Sequence, residues 1–433
     1  MAGKRAWYAL AVLFGINLLN FFDRQLPGSL GEPIRKEFGL SDTTLGSLGT
    51  IFTLIYAAVG LPLGRLTDRW VRTRIIAIGV TTWSVLTAAS GLAWSYASLF
   101  VTRLGVGVGE ASCAPASQSI ISDLFPAHQR ARALAVFMLG LPLGIFSAYM
   151  LSGLIGQALG WRAVFLIAAV PGLIMGVLAL FIQEPPRQVV NTAENKVESP
   201  YLSVLSIPTM WWIIASGALH NFNMYAINVF QTPFLQRFHD LTLREASTIS
   251  AVVLGAVGVL GLLFGGWASD KLSQRRVDGR LLLSAVTMAA AAPCVFLAIN
   301  RPAGDLTSFT LLMGLGIMMS FVYYATIYAA IQDVIDPRLR GTAVALYFLA
   351  MYVLGASLGP LVVGALSDYF AKSAMHAAGA TEMAETFKAQ GLHDAMYAIP
   401  MFMVLASLVL FAGARTMKSD MSRRAALREA KAI

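Results

Sequence analysis

Gly64 to Arg74 reads GRLTDRWVRTR, and its outline returns in the second half of the chain as GWASDKLSQRR, Gly266 to Arg276. In both, a glycine is followed four residues later by aspartate, then at once by a base, and a further base closes the segment. Gly64 matches Gly266, Asp68 matches Asp270, Arg69 matches Lys271 and Arg74 matches Arg276. Each segment follows an apolar run long enough to cross about 30 Å of hydrocarbon. A second echo joins Asp123, Pro126 and Arg132 to Asp333, Pro337 and Arg340. The repetition predicts two related halves, each with its own charged loop after its second span.

Working outward, apolar runs recur from end to end, and twelve spans are expected. Six lie between Trp7 and Ile182 and six between Pro208 and Ala414. The chain has 433 residues, of which 57% are hydrophobic and 13% charged, against about a quarter charged in soluble proteins. The fold class is therefore an all-α membrane protein. The first run follows Lys4 and Arg5 like a signal peptide, but no small-residue cleavage site follows it, so it reads as the first transmembrane helix. Between the halves lies the polar stretch Gln183 to Pro200. The expected domains are residues 1–182, a cytoplasmic linker 183–207, and residues 208–433 with a cytoplasmic tail.

The net charge of +9 could indicate nucleic acid, but the positions of the bases exclude that reading. With the N-terminus inside, about 22 of the 32 lysines and arginines fall in cytoplasmic loops and tails, about 8 in outer loops and 2 within spans. Both termini are expected in the cytoplasm. The outer loop Lys372 to His393 is rich in Ala, Glu and Lys and predicts a short surface helix. Cys113 and Cys294 both lie in apolar runs and support neither a disulfide framework nor a metal site.

The repeated loop has two readings. A glycine at a span's end lets a neighbouring helix approach, and an aspartate beside it accepts from helix N-terminal amides or pairs with arginine. Gly64, Asp68, Arg69, Arg74, Asp270 and Lys271 would then latch the cytoplasmic side. Alternatively they are ordinary inside-positive charges.

The fourth span carries TRLGVGVGEASCAP, Thr102 to Pro115. Arg103 and Glu110 are about two helical turns apart, roughly 10 Å along one face, and cannot simply close on each other. Charges at this depth need partners or a wet cavity. Asp23 and Arg24 in the first span are the expected partners, with Asn20 on the aspartate's face. Two acids and two bases make a neutral set. A carboxylate that loses its arginine to an anionic substrate takes up a proton, which would couple the two movements. Glu110 is the first candidate for proton coupling and Asp23 the second, with Arg24, Arg103 and Asn20 as the substrate and charge network. A permanently paired network that only orients helices is the competing reading.

The second half holds milder polarity. Asn221, Tyr225 and Tyr324 are expected to line a cavity, while His220 reads as a hydrogen-bonded residue rather than a titrating one. This asymmetry suits an amphipathic substrate, its head toward the first bundle and its chain along Phe222, Phe230 and Phe321. Gly140 with Gly144, and Gly355 with Gly359, have the spacing that lets helix backbones touch; a rocking surface between bundles and static packing are both open. Gly105, Gly107 and Gly109 lie within a span with no preceding strand, so they are not a phosphate loop. No cofactor, metal or enzymatic activity is expected.

GRLTDRWVRTR resembles the loop signature of the major facilitator superfamily, and GWASDKLSQRR its weaker copy. That resemblance implies two pseudo-symmetric six-helix bundles around a cavity opening alternately to either side. INLLNFFDRQ, Ile16 to Gln25, with TRLGVGVGEAS and ISDLFP, Ile121 to Pro126, is similar to the spinster branch. The implied function is secondary transport of a lysophospholipid or sphingoid-base phosphate; the organic-anion symporter branch, with a similar arrangement of charges, is the alternative. A lipid scramblase is the alternative from another class. The implied setting is a bacterial inner membrane, with protons, membrane lipids and the anionic substrate as partners and a monomer as the working form.

Overall fold

The computed structural model describes residues 3–186, 199–336 and 339–432, apart from the side chains at 61, 64, 65, 67–69, 127, 128, 131 and 424–432. Regular structure among the described residues is helical. The first half runs α1 (Lys4–Ser29), α2 (Gly31–Phe38), α3 (Asp42–Arg69), α4 (Arg72–Gly91), α5 (Tyr96–Ala111), α6 (Cys113–Leu124), α7 (Ala127–Met138), α8 (Gly140–Leu159) and α9 (Trp161–Leu180). The second runs α10 (Pro200–Leu205), α11 (Pro208–Phe238), α12 (Leu243–Ser250), α13 (Val257–Ser273), α14 (Gly279–Ile299), α15 (Leu306–Val334), α16 (Arg340–Ala350), α17 (Leu358–Ala377), α18 (Glu385–Met396) and α19 (Ala398–Ala432). Six-residue π-helical turns, Ala251–Ala256 and Met351–Ala356, join α12 to α13 and α16 to α17.

Twelve rods result: α1, α3, α4, α5–α6, α7–α8, α9, α11, α12–α13, α14, α15, α16–α17 and α19. Among the described residues, nine of them are long and apolar enough to cross a membrane by length and composition. The remaining three are α4, α5–α6, which is divided at Ser112, and α11, which holds His220, Asn221, Asn223 and Asn228. The helix expected in the 372–393 loop is α18. Of the expected linker, residues 187–198 lie outside the described residues.

Local chemistry sets the ends. Gly39 closes α2 at φ 62°, where a side chain would be strained. Ser41 then accepts from the Thr44 amide at 3.2 Å to start α3. Ser95 and Ser98 form a capping box at α5, and Thr242 and Glu245 another at α12; each cap is worth about 1 kcal/mol.

The chain forms two compact units. The first comprises Met1–Val190 with Asn228–Ala256, the second Asn191–Ile227 with Val257–Ile433. The end of α11, all of α12 and the first π turn therefore pack with the first bundle although they follow the linker. A Cβ on Gly153 of α8 would lie 2.8 Å from Ser247 of α12, and one on Gly255 would lie 2.6 Å from Phe146. No room is left there for a larger residue.

The glycine pairs serve packing inside the units. A Cβ at Gly140 would stand 2.8 Å from the Leu18 amide, and one at Gly144 2.9 Å from Phe21, so this pair seats α8 on α1. Gly355 and Gly359 meet the backbone of Ala218 and Phe222 on α11. A rocking surface between bundles is thus corrected. Spacing reveals that a helix has a narrow face, not which neighbour occupies it.

Candidate functional site

The four charges of the first bundle pair crosswise. Arg24 Nε donates to Glu110 Oε2 at 2.8 Å, and Arg103 Nη1 donates to Asp23 Oδ2 at 3.2 Å. Successive residues on α1 point about 100° apart, which lets Asp23 and Arg24 reach partners two turns apart on α5. Arg103, Asp23 and Glu110 are buried.

The two pairs differ in how fully they are satisfied. Asp23 also accepts from Thr87 Oγ1, at 2.9 Å to each oxygen. Arg103 donates further to Ser90 Oγ through Nε at 3.0 Å and to Thr87 through Nη2 at 3.1 Å. Phe165 lies beneath its guanidinium at 5.1 Å. This is a closed polar network. Glu110, by contrast, has no hydrogen-bond partner for Oε1 among the described residues, and Asn20 none for Nδ2. Arg24 sits among aromatic rings, 4.2 Å from the centroid of Tyr56, 5.1 Å from Phe21 and 5.6 Å from Phe52. Such stacking holds a cation by its face while leaving its edge for anions.

The sequence reading missed Thr87, Ser90, Phe165 and Tyr56. Threonine and serine are common in spans, so only their contact with α5 sets them apart. Ser112 ends α5 two residues after Glu110, its hydroxyl donating to the Gly109 carbonyl at 2.8 Å.

At the end of the first unit remote from the N-terminus, a second buried cluster was also missed. Arg237 of α11 donates to Glu32 at 2.6 Å and to both oxygens of Asp42 at 2.8 Å. Arg35 pairs with Glu32 at 2.7 Å. Burial alone would lift the Glu32 carboxyl, but the Arg35 hydrogen bond and the charges of Arg237 and Arg35 outweigh it and hold it down at about 2.

At the opposite end, the buried base is Arg72 rather than Arg74, which is exposed. Arg72 donates to Asp123 at 2.5 Å, to Glu184 at 2.7 Å and to Ser119 at 2.7 Å. Although burial opposes it, hydrogen bonds from Arg72 and the Thr73 amide keep the Glu184 carboxyl below its usual range. The second unit repeats the arrangement more openly, Arg280 lying 2.9 Å from Asp333 and 3.7 Å from Asp270. Lys271 sits over the Trp267 ring at 5.1 Å. The side chains of Gly64, Asp68 and Arg69 lie outside the described residues.

In the second unit, Asn221 accepts from the Tyr324 hydroxyl at 3.4 Å, and Tyr225 meets Tyr352 edge to face at 6.4 Å. His220 stacks on Tyr323 at 4.2 Å with the edge of Tyr324 at 4.7 Å. Its Nδ1 lies 3.5 Å from Ser320 Oγ, and Nε2 has no partner among the described residues. Tyr347 donates to the Tyr323 hydroxyl at 3.3 Å. The cluster is uncharged throughout.

The sequence model of the Major Facilitator Superfamily matches residues 13–360. An "MFS-type efflux pump" of Mycolicibacterium smegmatis is 32% identical over 369 residues, 84% of this chain and 85% of that protein. Protein spinster homolog 3 of Danio rerio is 28% identical over 389 residues, 85% and 78% of the two chains. Among solved structures, a bacterial homolog to the human lysosomal transporter Spinster, crystallised inward-facing and unoccupied, superposes with a TM-score of 0.88 at 27% identity. The match covers 97% of this chain and 99% of that one.

Proposed function

Because the chain belongs to the major facilitator superfamily, and within it to the spinster branch, we propose that it is a proton-coupled carrier of an amphipathic anionic lipid. A lysophospholipid or a sphingoid-base phosphate has the required chemistry. That it is a multi-pass secondary transporter rather than an enzyme follows from the family; substrate and coupling are the proposal.

The observation that carries the reading is Glu110, a buried carboxyl group with one oxygen held by Arg24 and the other without a partner. An anionic headgroup competing for Arg24 removes the cation bonded to Glu110, and a buried carboxylate without its cation binds a proton. Asp23, closed in by Thr87 and Arg103, is the secondary proton site. The uncharged Asn221, Tyr225 and Tyr324, with Phe222 and Phe321, suit the less polar part of the same molecule. The motifs that resemble the spinster branch support a lipid, and the relative named an efflux pump supports movement out of the cytoplasm.

The bias of lysine and arginine supports cytoplasmic termini, and a monomer in a bacterial inner membrane is the setting proposed with it. On that orientation Arg237, Glu32 and Asp42 form an outer latch. Asp270 and Lys271, beside Arg280 and Asp333, form one inner latch. Arg72, inside the segment that also holds Gly64, Asp68, Arg69 and Arg74, forms the other with Asp123 and Glu184. Alternating access is the proposed transport cycle, and each of these clusters would brace the end of one unit during it.

The test is transport in proteoliposomes under an imposed pH gradient, with a lysophospholipid against a small carboxylate. Gradient-driven, saturable lysolipid movement is expected. Preference for the carboxylate would assign the organic-anion alternative, and lipid movement indifferent to the gradient would assign a scramblase.

A further inference from the structure

The second unit carries a basic cavity that the transport site does not use. It measures about 600 Å³ and is walled by Arg275, Arg276, Val277 and Asp278 before α14, and by Lys418, Met421 and Ser422 on α19. Asp278 is its one acid and is shared between two bases, 3.0 Å from Arg276 and 3.6 Å from Lys418. Arg275 makes no ion pair among the described residues. Three cations and one anion leave the cavity with an excess of two positive charges.

Its depth is marked by aromatic residues. Thr209, at the start of α11, accepts from or donates to Thr416 at 2.8 Å and donates to Asp420 at 2.6 Å, which aligns the start of α11 with the stretch of α19 that walls the cavity. Trp211, two residues on, is 56% exposed, and Trp267 at the end of α13 is 62% exposed. Exposed tryptophans beside lysine and arginine belong at the headgroup level of a membrane. Val277 and Met421 supply an apolar side to the same cavity, suited to the glycerol and first methylenes behind a phosphate.

We propose that this cavity binds the phosphate of an anionic phospholipid from the cytoplasmic leaflet, joining the loop before α14 to α19. Arg275 and Lys418 contact the phosphate, while Arg276 keeps Asp278 neutralised beside it. A free phosphate shares this chemistry, and the experiment separates the two.

Full-length protein in neutral detergent is incubated with equal amounts of phosphatidylglycerol and phosphatidylcholine, and retained lipid is counted by native mass spectrometry. Phosphatidylglycerol should be retained in preference, and Arg275→Ala/Lys418→Ala should weaken retention about tenfold or more, since each base near anionic lipid contributes measurably. Ser422→Glu deletes no contact of the bases and should weaken retention by placing a negative charge in the cavity. Lys372→Ala, in the last turns of α17, should change nothing. Equal retention of both lipids, or unchanged retention in both cavity variants at wild-type melting temperature, overturns the proposal. Displacement of the lipid by millimolar inorganic phosphate assigns the cavity to free phosphate and likewise overturns it.

Discussion

Arg24 Nε donates to Glu110 Oε2 at 2.8 Å, and the other oxygen of Glu110 meets no donor among the described residues. Asp23 engages Thr87 with both oxygens and Arg103 with one. Substitution should therefore separate the two acids. Glu110→Gln should abolish transport driven by a pH gradient while substrate exchange without a gradient persists. Asp23→Asn should lower stability by about 3–5 kcal/mol, because it leaves Arg103 buried beside a neutral partner. Proteoliposome flux and detergent melting curves check the pair together.

Arg237 bonds both oxygens of Asp42 through two nitrogens, and it shares Glu32 with Arg35. Arg237→Gln should cost about 3–5 kcal/mol by leaving buried acids short of charge, read as a fall in melting temperature.

Acidification tests the same cluster without mutation. The folded Glu32 carboxyl titrates at about 2, below its ordinary value of 4.5. Its stabilising contribution is complete above pH 4.5 and is lost as pH falls toward 2. Melting temperature should then be insensitive to Glu32 between pH 7 and 5 and should decline below about pH 4.5. Glu32→Gln should flatten that acid limb.

The bases at the opposite end differ in burial, Arg72 side chain 3% exposed and Arg280 18%. Arg72→Ala should destabilise by about 3 kcal/mol or more, and Arg280→Ala by about 1 kcal/mol, since solvent screens the second pair. A reversed order in melting temperature would contradict the geometry.

Tyr324 tests the uncharged cluster. Tyr324→Phe removes a long 3.4 Å hydrogen bond to Asn221 and should change the substrate KM less than twofold. Tyr324→Ala should raise KM about tenfold or more if the ring contacts substrate, with flux at saturation less affected.

Much of this arrangement was legible in the sequence. Charge is so scarce in the apolar runs that Asp23, Arg24, Arg103 and Glu110 identify themselves, and the repeat betrays two halves. The crosswise pairing was not legible, because it depends on how α1 is rotated against α5. Arg237 lies 205 residues from Glu32, and no local pattern joins them. The repeated loop directed attention to Arg74 and Arg276, yet the buried arginine is Arg72, and Arg280 fills the corresponding place in the second unit. The loop before α14 is longer than the one before α4, so alignment from the preceding helix misses residues set by the start of the next. Gly140 and Gly144 declare a narrow helix face, but only α1 against that face tells what it serves.

The neutrality of the four charges in the first bundle has an electrical consequence. With Asp23 and Glu110 ionised against Arg24 and Arg103, the set presents no net charge to the transmembrane voltage. A proton on Glu110 gives it one positive charge, on which 100 mV exerts up to about 2.3 kcal/mol when the full field is crossed. On the proposed coupling a monoanionic headgroup on Arg24 cancels that charge, so voltage would act on a carrier protonated without substrate and leave the empty and the fully loaded carrier indifferent.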